Sequence, residues 1–268
     1  MLLRRVILLA LAAALLVGTA HWALVQWQAL PIISAAEAME DRSHPVAVKI
    51  SGGLADDHQH GIAAAPHTHE HGVWKPVDGL ERSAWTWVAS VLLQFGLALG
   101  LLVAIAFASR RPSAAAAPVR TSIMLAAAGF ACLFAWPALG LPPEIPGADA
   151  ARLGSRQAWW ALAAGCAGAA VALAVLLQGS WRWGLATALL AIPFAVGAPH
   201  MASDPFAGFD ANSAAQMRRL ADQFVWVTVG TSLSQWLLLG LTCGLLAQRW
   251  LVPVVVETRP APVLAPGP

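Results

Sequence analysis

The sequence predicts an all-α integral membrane protein, a polytopic bundle of helices with one long histidine-rich loop. Hydrophobic residues fill 58% of the 268 positions and charged residues only 11%, whereas soluble domains carry about 25% charged residues. The mean hydropathy is +0.64. The chain also has 13 Trp and no Tyr, and Trp collects where lipid meets water. These values argue against a soluble domain, and a net charge of +2 indicates no nucleic-acid partner.

Six apolar runs approach the roughly 20 residues that a membrane-spanning helix needs. They are residues 6–27, 84–108, 121–141, 158–177, 183–199 and 224–246. The fifth run is the shortest and has Pro193 near its end, so five spans with a re-entrant fifth segment are the alternative. The stretch "GTA" at 18–20 resembles a weak signal-peptide cleavage site. The apolar run continues to Leu30, however, which favours a first helix that is retained.

The spans divide the chain into four predicted parts. These are a first transmembrane helix (1–30), a largely disordered His-rich loop outside the cytoplasm (31–83), a five-helix transmembrane bundle (84–248) and a Pro-rich cytoplasmic tail (249–268).

Orientation follows from the arginines near the ends of the spans, because basic residues in short loops favour the cytoplasmic side. They are dense before the first span and in the short second loop, at Arg4, Arg5, Arg110, Arg111 and Arg120. The sequence therefore predicts a cytoplasmic N-terminus and a His-rich loop on the outer side of the membrane.

The stretch "DDHQHGIAAAPHTHEHG", residues 56–72, holds five of the chain's eight histidines. Imidazole is a common ligand for zinc, nickel, cobalt and copper, and nearby carboxylates can complete the metal's coordination. The candidate ligands here are His58, His60, His67, His69, His71, Asp56, Asp57 and Glu70. A flexible loop loses conformational entropy when it closes round an ion, so we predict capture rather than a tight site. The alternative is a solvated loop in which the histidines have no role.

Four further residues on the same predicted side are candidates for receiving the ion. Glu37 and Glu40 share one face of a helical extension of the first span. Glu144 follows a rigid Pro-Pro pair after the third span, and His200 follows the fifth. The alternative for Glu144 is an ion pair with Arg156 that only fixes the loop.

The chain lacks the residues that several transport and catalytic mechanisms require. No Asp, Glu, Lys or Arg stands at mid-span, so there is no built-in proton relay of the kind that pumps use. The phosphate-binding motif G-x-x-x-x-G-K-[ST] is absent, so the chain is not itself an ATPase. No nucleophile–base pair is evident either, and we predict that the protein is not an enzyme.

The polar residues inside the spans lie on the second and last helices. Ser90 and Gln94 lie four residues apart on the second span, as do Thr231 and Gln235 on the last. Packing is the favoured interpretation, because small and polar residues hold membrane helices together. Both helices also carry a G-x-x-x-G motif, at Gly96/Gly100 and Gly240/Gly244. The alternative is a translocation path for a partly hydrated cation.

Several short segments, taken in order, resemble the CbtA family of cobalt transporter subunits over most of the chain. They are "LPIISAAEAMED", a histidine-rich stretch, "WKPVDGLER", "GLPPEIPG", "RQAWW" and "GAPH", of which "PPEIPG" followed by "RQAWW" is the most specific part. The resemblance implies a bacterial inner-membrane protein that takes part in cobalt uptake linked to cobalamin synthesis. It also implies a small partner, CbtB, with one span and its own histidines.

The sequence therefore predicts no tightly bound cofactor and a transported or transiently bound divalent metal, cobalt first, with nickel or zinc as alternatives. Two other functions stay open. One is a metal exporter, for which a histidine loop is expected on the cytoplasmic side. The other is a membrane-bound metal sensor or scaffold that binds ions without moving them.

Overall fold

The structure, a computed structural model, describes residues 2–43, 76–201 and 204–257, and its regular elements in these ranges are all helices. In chain order they are α1 (Leu2–Leu24), α2 (Leu30–Ser43), α3 (Leu80–Ala108), α4 (Pro112–Ala116), α5 (Pro118–Phe130), α6 (Trp136–Ala138), α7 (Leu153–Leu176), α8 (Trp181–Val196), α9 (Ala211–Leu246) and α10 (Val252–Glu257). Wide π-helical turns join three of the pairs without a break, α1 to α2 through Val25–Ala29, α5 to α6 through Ala131–Ala135 and α9 to α10 through Ala247–Leu251.

Five continuous helices in the described ranges are long and apolar enough to cross a membrane. They are Leu2–Arg42, Leu80–Ala108, Pro118–Ala138, Leu153–Leu176 and Ala211–Glu257. The sixth, α8, is apolar but has 16 residues, so it is about 24 Å long against a hydrocarbon core of about 30 Å. The predicted all-α membrane bundle is confirmed, with the short fifth run folded as a helix.

The helices alternate between two ends of the bundle. We call one the loop end, because residues 44–75 connect α2 to α3 there. We call the other the arginine end, where Arg5 Nη1 donates a hydrogen bond to the carbonyl of Trp250 at 3.2 Å. At the loop end, the amide of Asp149 donates to the carbonyl of Pro205 at 2.8 Å, so the segments before α7 and after α8 meet there. The short α8 therefore also runs from one end to the other.

Four helices, α1, α3, α5 and α9, form the main core. Small side chains allow the close contact of α1 with α3 and of α5 with α9, because they let backbones approach. A Cβ added at Gly18 would lie 2.8 Å from the Cα of Val91, and one added at Gly244 would lie 2.8 Å from the Cα of Val119. The side chain of Ser122 also donates a hydrogen bond to the carbonyl of Gly240 at 2.6 Å.

Two further helices, the long α7 and the short α8, pack on each other beside this core. Trp159 on α7 is 4% exposed, and its indole N–H donates to the carbonyl of Pro193 on α8 at 3.0 Å. The ring of Phe194 meets Trp136 and Trp159 edge-on, with centroids 5.4 and 6.0 Å away. Aromatic side chains thus hold α7 against α8, whereas small residues allow the close packing of the four-helix core.

A second apolar cluster closes the loop end. It packs α2 against the start of α9 and the two loops beside it, through Ala36, Met39, Ile145, Phe206, Ala214 and Met217. The carboxylate of Asp210 caps α9 by accepting hydrogen bonds from the amides of Asn212 and Ser213. The predicted helical extension of the first span is therefore present and continues to Ser43.

Two predicted boundaries differ from the structure. The segment predicted to be a largely disordered outer loop begins as helix, since α2 occupies residues 30–43. The last helix continues to Glu257, beyond the predicted start of the tail at 249, because Leu251 and Val252 are buried against the main core. The rest of the predicted tail lies outside the described residues.

Candidate functional site

A cavity of about 470 Å³ opens at the loop end between α2 and the beginning of α3. Its side chains include Gln26, Ser34, Glu37, Asp41, Asp78, Arg82, Ser83 and Thr86. The described chain stops at Ser43, two residues after Asp41, and resumes at Pro76, two residues before Asp78. Residues 44–75 are therefore attached to the bundle beside both walls of the cavity. We call this space the loop-end cavity.

One arginine links the two walls of the loop-end cavity. Arg82 on α3 donates to both carboxylate oxygens of Glu37 on α2, at 2.7 and 3.1 Å, and to Asp78 at 3.1 Å. The side chains of Arg82 and Glu37 are each about one third exposed. A forked guanidinium–carboxylate contact fixes geometry as well as charge, so it holds α2 against α3 at this end.

Among the described residues that line the loop-end cavity, there are three carboxylates and one guanidinium. Asp41 stands one helical turn after Glu37, and Asp78 is the third. Sequence reasoning found Glu37 but missed the two aspartates. The four-residue spacing of Glu37 and Asp41 was a usable signal, since it places both on one helix face. The nearness of Asp78 to these two residues could not be predicted, because 36 residues separate it from Asp41 along the chain.

The other three predicted mouth residues are spread over the loop end. Glu40 lies against the loop before α7, since a Cβ added at Gly147 in that loop would lie 3.4 Å from the Cβ of Glu40. Glu144 forms an ion pair with Arg156 at 2.6 Å, which is the geometry of the alternative given above. His200 is exposed. Within residues 2–43, 76–201 and 204–257, no group of three His, Cys, Asp or Glu residues comes together in a way that could hold a metal ion.

The histidine tract lies outside the described residues. This holds for all eight of its candidate ligands, namely His58, His60, His67, His69, His71, Asp56, Asp57 and Glu70. Their predicted role in metal capture stays a prediction.

The polar residues predicted inside the spans face the four-helix core. Gln94 is 0% exposed, Thr231 is 5% exposed and Gln235 is 7% exposed, while Ser90 is half-buried. The hydroxyl of Thr231 donates to the carbonyl of Val227 in its own helix at 2.9 Å. Neither Nε2 nor Oε1 of Gln94 has a hydrogen-bond partner among the described residues. The core thus contains polar groups that its own packing leaves unsatisfied.

Two aspartates at the loop end have their charge stabilised by hydrogen bonds. The amide of Phe206 and then the guanidinium of Arg218 lower the pKa of Asp204 below its usual range. The hydroxyl and the amide of Ser213, followed by the amide of Asn212, lower the pKa of Asp210. Both carboxylates therefore stay ionised at neutral pH and fix the turn that leads into α9.

Long apolar helices, a charged cavity at one end and polar side chains within the core define the chain as a multi-pass membrane protein of the kind that transport systems use. The family described as "Probable cobalt transporter subunit (CbtA)" matches residues 3–248, and the chain belongs to this family. A metal ion as substrate and a further subunit as partner follow from that description. Comparison with curated proteins and with solved structures finds no match for the chain.

Proposed function

We propose that the protein is the membrane subunit through which a bacterial cell takes up cobalt for cobalamin synthesis. The observation that carries this proposal is the loop-end cavity, in which three carboxylates lie beside the two points where the histidine-containing segment joins the bundle. Carboxylates attract divalent cations and supply oxygen ligands, and imidazoles supply the nitrogen ligands that cobalt accepts. Membership of a cobalt transporter subunit family gives the reaction and the cargo.

In this proposal the loop end faces the periplasm. The opposite end gathers arginines at the termini of several helices, and short segments rich in Arg favour the cytoplasmic side. They are Arg4, Arg5, Arg110, Arg111, Arg120, Arg182 and Arg249. The bundle thus resides in the inner membrane, with its N-terminus in the cytoplasm and the histidine segment where extracellular cobalt first arrives.

Each charged group has a role in this scheme. The five histidines of residues 58–71, with Asp56, Asp57 and Glu70, raise the local concentration of the ion. The loop-end cavity then receives it through Glu37 and Asp41. Three outer groups surround the entrance. Glu40 and His200 add negative or metal-binding character, and Glu144 is paired with Arg156.

Two elements of the scheme come from outside this chain. A small single-span partner with its own histidines, of the CbtB type, completes the transporter. The membrane potential, worth about 2.3 kcal/mol per charge for each 100 mV, supplies part of the driving force for inward movement of a cation.

Accumulation of radioactive cobalt in whole cells tests the proposal. Cells that lack this gene, its partner gene or both should accumulate less cobalt than the parent strain, and restoring both genes should restore uptake. Unchanged accumulation in every strain would favour a sensor or scaffold, and increased accumulation on deletion would favour an exporter. A periplasmic reporter fused near residue 65 should be active, and an inactive reporter would reverse the orientation.

The same cobalt accumulation assay tests whether the tract histidines raise the local concentration of the ion. Replacement of all five tract histidines by Ser should slow uptake at scarce cobalt and leave it normal at high cobalt, because a collector matters only when ions are few. Loss of uptake at both concentrations would place the tract within the transport path itself.

A further inference from the structure

One histidine in the described chain lies inside the first long helix rather than at its ends. His21 on α1 continues the buried face formed by Ala10, Ala14 and Val17, which repeats at helical spacing. Its Nδ1 atom is enclosed and has no hydrogen-bond partner among the described residues. An imidazole nitrogen facing the core without a partner is a free metal-ligating group within a membrane helix.

The second unpartnered group is the amide of Gln94 on α3. Its side chain is 0% exposed, and both its nitrogen and its oxygen lack partners in the described ranges. Buried polar atoms in membrane proteins are satisfied as a rule, because lipid and apolar side chains offer no hydrogen bonds. The Gln94 amide therefore has a donor and an acceptor available for a polar ligand.

Both groups follow the residues of the loop-end cavity along their helices, on the side towards the middle of the bundle. The floor of that cavity includes Val25, Gln26 and Thr86. His21 is one turn below Val25, and Gln94 is two turns below Thr86, which corresponds to about 6 and about 12 Å along the helices. Val25 and Gln26 belong to the π-helical turn, a feature that is frequent at functional sites because it widens the helix locally.

The third polar wall of this region comes from α9. Arg5 touches Trp250 at the arginine end, and from that contact both His21 and Gln235 lie about 23 Å along their helices. Gln235 and Thr231 are buried in the same core. Three different helices therefore contribute polar side chains to the interior of the bundle.

Towards the arginine end the core becomes apolar. The side chains of Leu102, Ile105 and Leu251 are 0% exposed and belong to the main core cluster. The polar side chains therefore stand between the loop-end cavity and this apolar part of the core.

We propose that His21 is the first ligand inside the membrane that accepts the divalent cation from the loop-end cavity, and that the amide oxygen of Gln94 receives it next. This inference rests on the proposed function. The described residues contain no three-ligand metal cluster, which fits a transit position and not a storage site. An imidazole nitrogen and an amide oxygen supply two ligands, and waters carried by the ion fill the others.

Cobalt accumulation in cells that carry the partner gene tests His21 against a matched packing change. His21→Ala and His21→Gln should each reduce the initial rate at scarce cobalt by at least about tenfold, because even the loss of a group that supports a ligand costs that much affinity. The control is Val17→Ala, one turn away on the same buried face, which removes packing but no ligand. Gln94→Met, of similar length and without an amide, should slow uptake as well. Membrane amounts of each variant are equalised by immunoblot.

A binding measurement separates this inference from the proposed function. The purified full chain in lipid nanodiscs, with the five tract histidines changed to Ser, is titrated with Co²⁺ alone, and the visible absorption of the bound ion is followed. His21→Ala should weaken the remaining binding at least about tenfold, whereas Val17→Ala should not.

Three outcomes decide the matter. Equal uptake and equal Co²⁺ binding by His21→Ala and Val17→Ala would overturn the role of His21. Loss of both activities in the His21 variants alone supports it. If the parent cells accumulate no cobalt, the proposed function fails, and the titration still decides whether His21 binds the ion.

Discussion

The two halves of the four-helix core are built in different ways. The half near the arginine end is tightly packed, with Leu102, Ile105 and Leu239 each 0% exposed and Gly244 close to the backbone of α5. Its buried hydroxyl group on Ser122 is satisfied by the carbonyl of Gly240. The half near the loop end contains His21, Gln94, Thr231 and Gln235, and leaves nitrogen or oxygen atoms of the first two without partners.

The difference indicates that one half of the core contributes most of the stability of the bundle, whereas the other half lowers it. Close packing of small residues holds membrane helices together, so the arginine half stabilises the bundle. Unsatisfied buried polar groups cost free energy, and a protein retains them where function needs them. The contrast is consistent with a bundle that is anchored at one half and adapted to a charged cargo at the other.

The largest effect is expected from a substitution that breaks the packed half. Gly244→Leu should destabilise the folded bundle by about 3 kcal/mol or more, because its Cβ would lie 2.8 Å from the Cα of Val119 and the helices must separate. Thermal unfolding of the purified protein in nanodiscs measures this.

The second G-x-x-x-G motif supplies the control. Gly100→Leu should change stability by less than about 1 kcal/mol, because a Cβ there has no neighbour within 4 Å. Similar destabilisation by the two variants would show that the packing difference between the motifs is absent in the membrane.

An intermediate effect of opposite sign is expected from the polar half. Gln94→Leu should raise the stability of the purified chain by about 1–3 kcal/mol, because it removes a buried amide whose two polar atoms have no partners. The same thermal unfolding assay measures the gain. Leu239→Ala, at an equally buried apolar position, should instead lower stability by about 2–5 kcal/mol. A loss of stability in Gln94→Leu would mean that the amide is satisfied in the native protein.

The smallest effect concerns the acidic turn at the loop end. The pKa of Asp210 lies below its usual value of 3.8, so its ionised form stabilises the fold above about pH 4 and that contribution is lost as pH falls further. Asp210→Asn should keep a capping oxygen and flatten the dependence of the melting temperature on pH in this acid range.

The comparison for this substitution is Asp222→Asn, whose exposed side chain lies inside α9 and away from its first turn. It should retain the acid dependence of the unmodified protein. If both variants show that same dependence, the hydrogen bonds to Ser213 and Asn212 do not control acid stability.

Much of the fold was predictable because bilayer physics acts locally. A run of about 20 apolar residues has few alternatives to a helix in lipid. Five of the six predicted runs each lie within one of the five long helices or pass its C-terminal end by at most three residues. The extended first helix was also predictable in part, since Glu37 and Glu40 keep helical spacing beyond Leu30. The end of the last helix was not, because burial of Leu251 and Val252 against the core decides it.

The candidate site was less accessible to sequence reasoning. Each acidic residue of the loop end is visible in the sequence, but an acid that is free and an acid paired with arginine look the same there. Glu144 could be assigned to Arg156 only as an alternative, and the pairing of Glu37 with Arg82 joins segments 45 residues apart. His21 escaped notice because it stands alone in an apolar run.

The sequence by itself determined the class of protein and the family, because hydropathy and short ordered motifs are properties of neighbouring residues. It left the number of spans open between six and five. Only the tertiary structure decided which polar groups meet and which stay unpaired. Packing selects one face of each helix, and it brings α1, α3 and α9 together from distant parts of the chain. Two G-x-x-x-G motifs that look the same in the sequence show most clearly what the sequence could not predict. Gly240/Gly244 is buried against α5, while Gly96/Gly100 faces open space.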